Sequence, residues 1–174
     1  LYLSKKTYVK NWDHYKPQVR YEVTVNQGGK PHRTIQSDRI SYVIEQVAYW
    51  RKFNALHGWF VNECGGGKDE CQEMYVSMDK LKEILNLLKQ VKMVLDNSKV
   101  VDKVLTDWNN KEYEISVYDC EDELSDLLPP TSGFFFGSTE IDQYFKQDVE
   151  ESITIFEGLV SEDEEGDYYY QASW

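Results

Sequence analysis

The chain has 174 residues, 41% of them hydrophobic and 14% aromatic, and a formal net charge of −12. This length and composition fit one folded domain, residues 1–174, and argue against disorder along the whole chain. The apolar runs are far shorter than the ~20 residues that cross a bilayer, so no membrane association is expected. Three cysteines, Cys64, Cys71 and Cys120, are too few and too odd in number for a disulfide framework, which favours a reducing, cytoplasmic setting.

The charge is distributed unevenly. Residues 1–56 carry ten Lys or Arg against four Asp or Glu, whereas residues 57–174 carry nine against twenty-seven. The basic segment can lie against the acidic one inside the fold, or the two can form separate faces for separate partners. Because proteins that grip DNA or RNA are normally basic, we expect no direct nucleic-acid partner and an attraction to basic surfaces.

The first part of the chain predicts two strands and a helix. The strands are predicted around Tyr8-Val9 and over residues 21–25, where apolar and polar residues alternate, and residues 26–29 predict a turn. A helix is predicted from a cap at Ser37 or Asp38 to about Asn62, ended by the following glycines. The apolar residues at helical spacing that support it are Ile40, Val43, Ile44, Val47 and Trp50.

The middle of the chain predicts a short strand over Glu73–Val76 and a helix that begins after a cap at Ser77. The apolar stripe of this helix consists of Leu81, Ile84, Leu85, Leu88, Val91 and Leu95. Residues 101–108 suggest a third, short helix. Residues 111–118 alternate apolar and polar side chains and predict a strand with one solvated face.

The last part predicts an acidic, helix-compatible segment over residues 120–128 that Pro129-Pro130 ends. A long helix is predicted from Ser138 or Thr139 to about Val160. Residues 161–167 form an acidic loop, and residues 168–174 form a C-terminal strand that we expect to pair with 111–118. These elements predict an α+β fold, in which a small antiparallel or mixed sheet packs against three to four helices.

Two loop segments partly resemble ligand-binding motifs, namely a phosphate-binding loop and a zinc site. Neither has the residues or the spacing that its motif requires. The Gly65–Lys68 segment lacks the residues that define a phosphate-binding loop, since Asn62 and Asp69 occupy those positions. Cys64 and Cys71 are spaced too far apart for the usual pair of zinc ligands. We therefore predict no cofactor and no metal.

His57 is open to three interpretations. It can pack against aromatic residues in the core, or it can act as an acid or base with Glu63 and a cysteine in a small hydrolase. It can also belong to a set that stacks on a nucleotide and contacts its phosphates. That possible ligand-binding set is Tyr49, Trp50, Arg51, Asn54 and His57.

Acidic residues dominate the last third of the chain, where residues 110–174 contain only Lys111 and Lys146 as bases. Such residues usually form a solvated surface. Held rigidly, they can instead imitate the phosphates of a nucleic acid and occupy a basic channel of another protein. The residues predicted to bind such a partner are Glu121, Asp122, Glu123, Glu140, Asp142 and Asp148.

Three segments carry a family resemblance: residues 47–61, 128–140 and 168–174. The most specific part is Gly-Phe-Phe-Phe-Gly-Ser-Thr-Glu within the second segment. The chain resembles a group of small uncharacterised proteins encoded by phages and prophages of Gram-positive hosts. The resemblance implies an accessory phage protein acting in the cytoplasm of the infected host, without catalytic residues. It favours a binding protein that inhibits a host immune effector with a basic surface, for example a CRISPR nuclease. The alternatives are a protein that sequesters a nucleotide signal and a small hydrolase.

Overall fold

The computed structural model describes residues 1–12, 14, 16–107, 109–133, 137–161 and 166–173. Within these ranges the chain forms eight strands and four α-helices. The strands are β1 (Tyr2–Tyr8), β2 (Asn26–Gln27), β3 (Lys30–Pro31), β4 (Tyr42–Tyr49), β5 (Met74–Val76), β6 (Val100–Thr106), β7 (Glu112–Tyr118) and β8 (Asp167–Gln171). The α-helices are α1 (Asn54–Glu63), α2 (Met78–Asn97), α3 (Glu121–Ser125) and α4 (Gln143–Ser161).

The main sheet has four strands in the order β4-β1-β8-β5, and every neighbouring pair is antiparallel. Two smaller sheets pair β2 with β3 and β6 with β7. The α+β class predicted from the sequence is therefore confirmed. None of the helices in the described part of the chain combines the length and the apolar character needed to cross a membrane.

Two of the predicted helices are strands instead. Residues 42–49 form β4, and the helical prediction holds only from Asn54 onward. Residues 100–106 form β6, where a short helix was expected at 101–108; Trp108 itself lies outside the described residues. Both segments are rich in β-branched residues, which favour a pleated conformation when a partner strand is present.

The predicted strand over residues 21–25 is also wrong, because this stretch has no regular structure. Only the next residues pair, Asn26 with Pro31 and Gln27 with Lys30. The predicted turn between them is confirmed, since Gly28 and Gly29 have φ angles of 59° and 78°, which glycine adopts without strain.

Helix α2 agrees with its prediction. The hydroxyl group of Ser77 accepts a hydrogen bond from the backbone N–H of Lys80 at 3.3 Å and so caps the helix. All six residues of the predicted stripe are buried. Each contributes about 1.5–3 kcal/mol by leaving water. This face packs against α4, and ion pairs such as Lys89 with Glu157 connect the outer parts of the two helices.

Helix α4 begins at Gln143, four to five residues later than expected. Its start is fixed by Asp142, whose carboxylate accepts hydrogen bonds from the backbone N–H groups of Tyr144 and Phe145 at 2.9 and 3.0 Å. Most of the acidic loop, residues 162–165, lies outside the described residues, as does the Phe134–Phe136 segment.

Strand β8 is present as predicted, but its neighbours differ from the prediction. It lies between β1 and β5 in the middle of the sheet, whereas β7 pairs, among the described residues, with β6 and with Asp142. Tyr168 and Tyr170 point to the helix-covered face and are 1% and 0% exposed. The ring of Tyr170 stacks on Phe60 of α1 with 4.2 Å between centroids. The C-terminal strand is thus a core element of the fold.

Candidate functional site

An open groove of about 540 Å³ lies where the β6–β7 hairpin joins α3 and the segment before α4. Four carboxylate-bearing residues line it, each from a different element or connection: Asp102, Asp119, Glu121 and Glu140. Two of them, Glu121 and Glu140, belong to the acidic set that the sequence predicted. The groove therefore concentrates negative charge from four separate parts of the chain.

Lys103, a basic residue that also lines the groove, forms an ion pair within the protein. The ammonium group of Lys103 lies 2.6 Å from the carboxylate of Glu140. The pKa of Lys103 is raised mainly by this hydrogen bond, and Glu121 adds a smaller effect through its charge. The hydroxyl group of Ser116 donates to Asp102 at 2.9 Å. These contacts hold two of the four carboxylates in place and leave the groove with a negative excess.

The β6–β7 hairpin, here called the arm, has one face that is only partly covered. The register pairs Val101 with Val117 and Leu105 with Tyr113, so these side chains share a face. Val117 is buried at the base of the arm, but Val101 is 40% and Tyr113 is 46% exposed. A largely apolar strip thus runs outward from the acidic groove, and Lys103, opposite Ile115, is its charged member.

The remaining acidic residues of the predicted set have different surroundings. Asp122 and Glu123 are exposed in the first turn of α3, and Glu123 lines a second cavity of about 550 Å³ together with Asp119. The carboxylate of Asp142 accepts hydrogen bonds from the first turn of α4. Asp148 is half-buried, and burial together with the charges of Glu151 and Asp142 raises its pKa to about 6. Of the six residues, Glu121 and Glu140 line the groove, whereas Asp142 and Asp148 are tied to α4 by a cap and by burial.

The predicted ligand-binding set is likewise divided. Trp50 and Asn54 are 3% and 4% exposed, and their polar groups bond within the protein. The indole N–H of Trp50 donates to Ser152 at 2.8 Å, and the amide group of Asn54 bonds to the backbone at residues 131 and 138. Tyr49 and Arg51 are exposed. The structure therefore does not bring these side chains together on one open face.

His57 lies in the core with a hydrogen-bonding partner at each ring nitrogen. Its Nδ1 is 2.8 Å from the hydroxyl group of Tyr170, and its Nε2 is 3.2 Å from the carboxylate of Asp69. The sequence suggested Glu63 as the carboxylate, but Glu63 bonds to Lys80 at 2.6 Å. Asp69 was missed because the turn at residues 64–67 folds the chain back onto α1, and the spacing of twelve residues does not show this.

Two of the three cysteines, Cys64 and Cys120, are poor candidates for a nucleophile beside His57. Burial raises the pKa of Cys64 to about 11, and burial is also the main cause that raises the pKa of Cys120. A thiol with a raised pKa is a poor nucleophile at neutral pH. Among the described residues, no group of three or more His, Cys, Asp or Glu side chains could hold a metal ion.

A tyrosine-rich face was not anticipated from the sequence. The side of the main sheet opposite the helices carries Tyr8, Tyr42, Tyr49 and Tyr75, which are 45–62% exposed. The ammonium group of Lys6 lies 4.1 Å from the ring centroid of Tyr42. Only the register between strands distant in the chain reveals that these residues share a surface.

The chain matches no protein-family model, and no curated protein or solved structure is significantly similar to it.

Proposed function

We propose that this chain is a phage-encoded binding protein that inhibits a host immune effector, such as a CRISPR nuclease, by occupying a basic nucleic-acid-binding surface. The acidic C-terminal half supplies the charge, and the phage context comes from the sequence resemblance. The observation that carries the proposal is the position of the acidic groove beside the partly exposed, largely apolar strip of the arm. Protein interfaces commonly combine a partly apolar centre with a polar rim.

The chemistry of the groove fits basic side chains of a protein partner. Carboxylates attract Lys and Arg over distances of the order of the Debye length, about 8 Å at physiological salt. Such attraction mainly accelerates association and selects against acidic partners, whereas burial of apolar side chains slows dissociation. The groove and the arm would supply these two contributions from adjacent surfaces.

The contacts described above determine which acidic residues can be tested cleanly. Replacing Asp142 would remove the cap of α4, and replacing the half-buried Asp148 would change the stability of the fold, so neither change would separate binding from folding. The exposed residues of α3 are suitable for charge reversal: Glu121→Lys, Asp122→Lys and Glu123→Lys. A matched control reverses three exposed acidic residues elsewhere, which changes the net charge equally: Glu22→Lys, Asp38→Lys and Glu70→Lys.

The assay measures DNA cleavage by a panel of purified CRISPR nucleases, each loaded with its guide RNA, in the presence of each variant. We expect the wild-type chain and the control to inhibit at least one nuclease, and the α3 triple variant to inhibit it at least ten-fold less, about 1.4 kcal/mol of binding free energy. Raised salt should weaken inhibition by the wild type. Lack of inhibition across the panel, or equal inhibition by both triple variants, contradicts the proposal.

A further inference from the structure

Strand β4 is the longer of the two edge strands of the main sheet. The strand order places β4 at one edge and β5 at the other, and β5 has only three residues. Proteins commonly protect sheet edges by shortness, by Lys or Pro, or by a bulge. The eight residues of β4 include no Lys or Pro, their one charged residue is Glu45, and the irregularity in the pairing with β1 falls after Gln46. Tyr42, Val43 and Ile44 are 45%, 39% and 57% exposed.

The backbone groups that β4 directs outward can be identified from its inner contacts. The carbonyl group of Ser41 accepts a hydrogen bond from the N–H of Val9 in the direction of β1. Because successive residues of a strand alternate direction, Val43 and Glu45 also face β1. The N–H and carbonyl groups of Tyr42, Ile44 and Gln46 therefore point away from the sheet, where they can pair with another strand.

We propose that β4 pairs with β4 of a second copy of this chain, antiparallel, around a twofold axis at Ile44. Ile44 then lies opposite its own counterpart, and Tyr42 lies opposite Gln46 of the partner strand. All three outward-facing residues of each copy form hydrogen bonds, two for each opposed pair. The product is a continuous eight-stranded antiparallel sheet with both tyrosine-rich faces on the same side.

The residues of β4 favour this register over its neighbours. Moving the axis to Glu45 would place two like charges directly opposite each other, which is destabilising. Moving it to Val43 leaves Gln46 beyond the paired region and loses hydrogen bonds. With the axis at Ile44, Glu45 of each copy lies opposite Val43 of the other, and its neighbour in β1 is Lys5 of its own chain.

A second copy fits the edge better than an open-ended stack of chains. A twofold contact uses the same strand on both copies and is closed once it forms. Further growth would need the opposite edge, and β5 offers only three residues there. The expected assembly is therefore a dimer, and it does not depend on the function proposed above.

The first test measures mass by sedimentation over about 1 to 200 µM, a range that covers a micromolar dissociation constant. We expect the wild type to dimerise and Ile44→Lys to remain monomeric at least ten-fold higher in concentration. Val104→Lys is the matched control, because Val104 is also β-branched and 60% exposed but lies on the arm. The melting temperature of each variant verifies folding. A wild type that stays monomeric throughout, or equal effects of both substitutions, overturns the proposal.

The second test examines the register by oxidative cross-linking in a background with Cys64→Ser and Cys71→Ser. Opposed residues in a hydrogen-bonded pair have Cα atoms about 5.5 Å apart, within the range of a disulfide. Ile44→Cys alone should cross-link, whereas Gln46→Cys alone should not. A mixture of Tyr42→Cys and Gln46→Cys chains should cross-link between the two. Efficient cross-linking of Gln46→Cys alone would contradict the register.

Discussion

The hydroxyl group of Tyr170 lies 2.8 Å from Nδ1 of His57, deep in the core, while Nε2 of the same ring lies 3.2 Å from Asp69. An ionised carboxylate can only accept hydrogen bonds, so the neutral ring carries its proton on Nε2 and donates to Asp69. Its Nδ1 then accepts from Tyr170. This chain of contacts connects β8, α1 and the connection after α1, and it gives both ring nitrogens of a buried histidine a hydrogen-bonding partner.

The buried position of His57 predicts a loss of stability in mild acid. Burial lowers its pKa below the ordinary value of 6.5, and Asp69 opposes this shift only in part. The unfolded chain therefore binds a proton below pH 6.5 that the folded chain does not bind. Stability should fall by up to about 1.4 kcal/mol for each pH unit below 6.5. Urea unfolding between about pH 5 and 7 measures this slope.

The control for this prediction is His57→Asn, which should be less stable near neutral pH and should have a flatter slope between these pH values. Tyr170→Phe removes a hydroxyl group only. It should cost about 1–3 kcal/mol because Nδ1 of the buried ring loses its donor, while the pH slope remains. An unchanged slope in His57→Asn would assign the acid sensitivity to another group.

Asp148 predicts the opposite pH dependence. Its pKa in the folded chain is about 6, above the ordinary value of 3.8. The folded chain therefore holds a proton that the unfolded chain releases between these values, so Asp148 destabilises the fold as pH rises through this range.

We expect Asp148→Asn to raise the melting temperature at pH 7 and to change it little at pH 4. Glu151→Gln, a change at an exposed neighbour, is the control and should give a smaller increase. An equal melting temperature of Asp148→Asn and the wild type at pH 7 would contradict the prediction.

The sequence predicts those elements whose pattern is local. Helix α2 has a capping Ser77 and a continuous apolar stripe, and β7 alternates over its full length, so each pattern points to one conformation. Residues 40–50 are different, because their apolar residues fall at helical spacing while Ile40, Val43, Ile44 and Val47 are β-branched and favour a strand. The pairing of β4 with β1 decides between them, and that pairing joins residues more than thirty positions apart.

The candidate site, like β4, depends on contacts between residues that are distant in the chain. The excess of acidic residues is visible in the sequence, but the groove forms because β6, α3 and the segment before α4 meet. The position of β8 cannot be derived locally either, since its partners are Tyr2–Lys6 at one end of the chain and Met74–Val76 in the middle. The sequence pattern therefore predicts the C-terminal strand, but the neighbour predicted for it, residues 111–118, is wrong.

The arm should be dispensable for folding. None of the described residues between 102 and 116 is buried, whereas Val117 at its base is. Replacing residues 102–116 by an Asn-Gly turn joins the cross-strand partners Val101 and Val117. Because little apolar surface is lost, we expect a melting temperature within about 5 °C of the wild type. The same variant should lose inhibition of the nuclease, and retained inhibition would show that the arm is not part of the binding surface.

The C-terminal strand should be indispensable. Deleting residues 168–174 removes two fully buried tyrosines and the strand that pairs with β5, and it removes one of the two strands that pair with β1. Loss of a buried large aromatic side chain costs about 3–5 kcal/mol, so the two together approach or exceed a typical stability of 5–15 kcal/mol. The truncated chain should be insoluble, or should lack a cooperative thermal transition and near-ultraviolet circular dichroism. Tyr169→Ala is the matched control, because Tyr169 lies on the opposite face of the same strand and is only partly buried; it should melt cooperatively. A truncated chain that melts cooperatively near the wild-type temperature would show that the sheet is stable without β8.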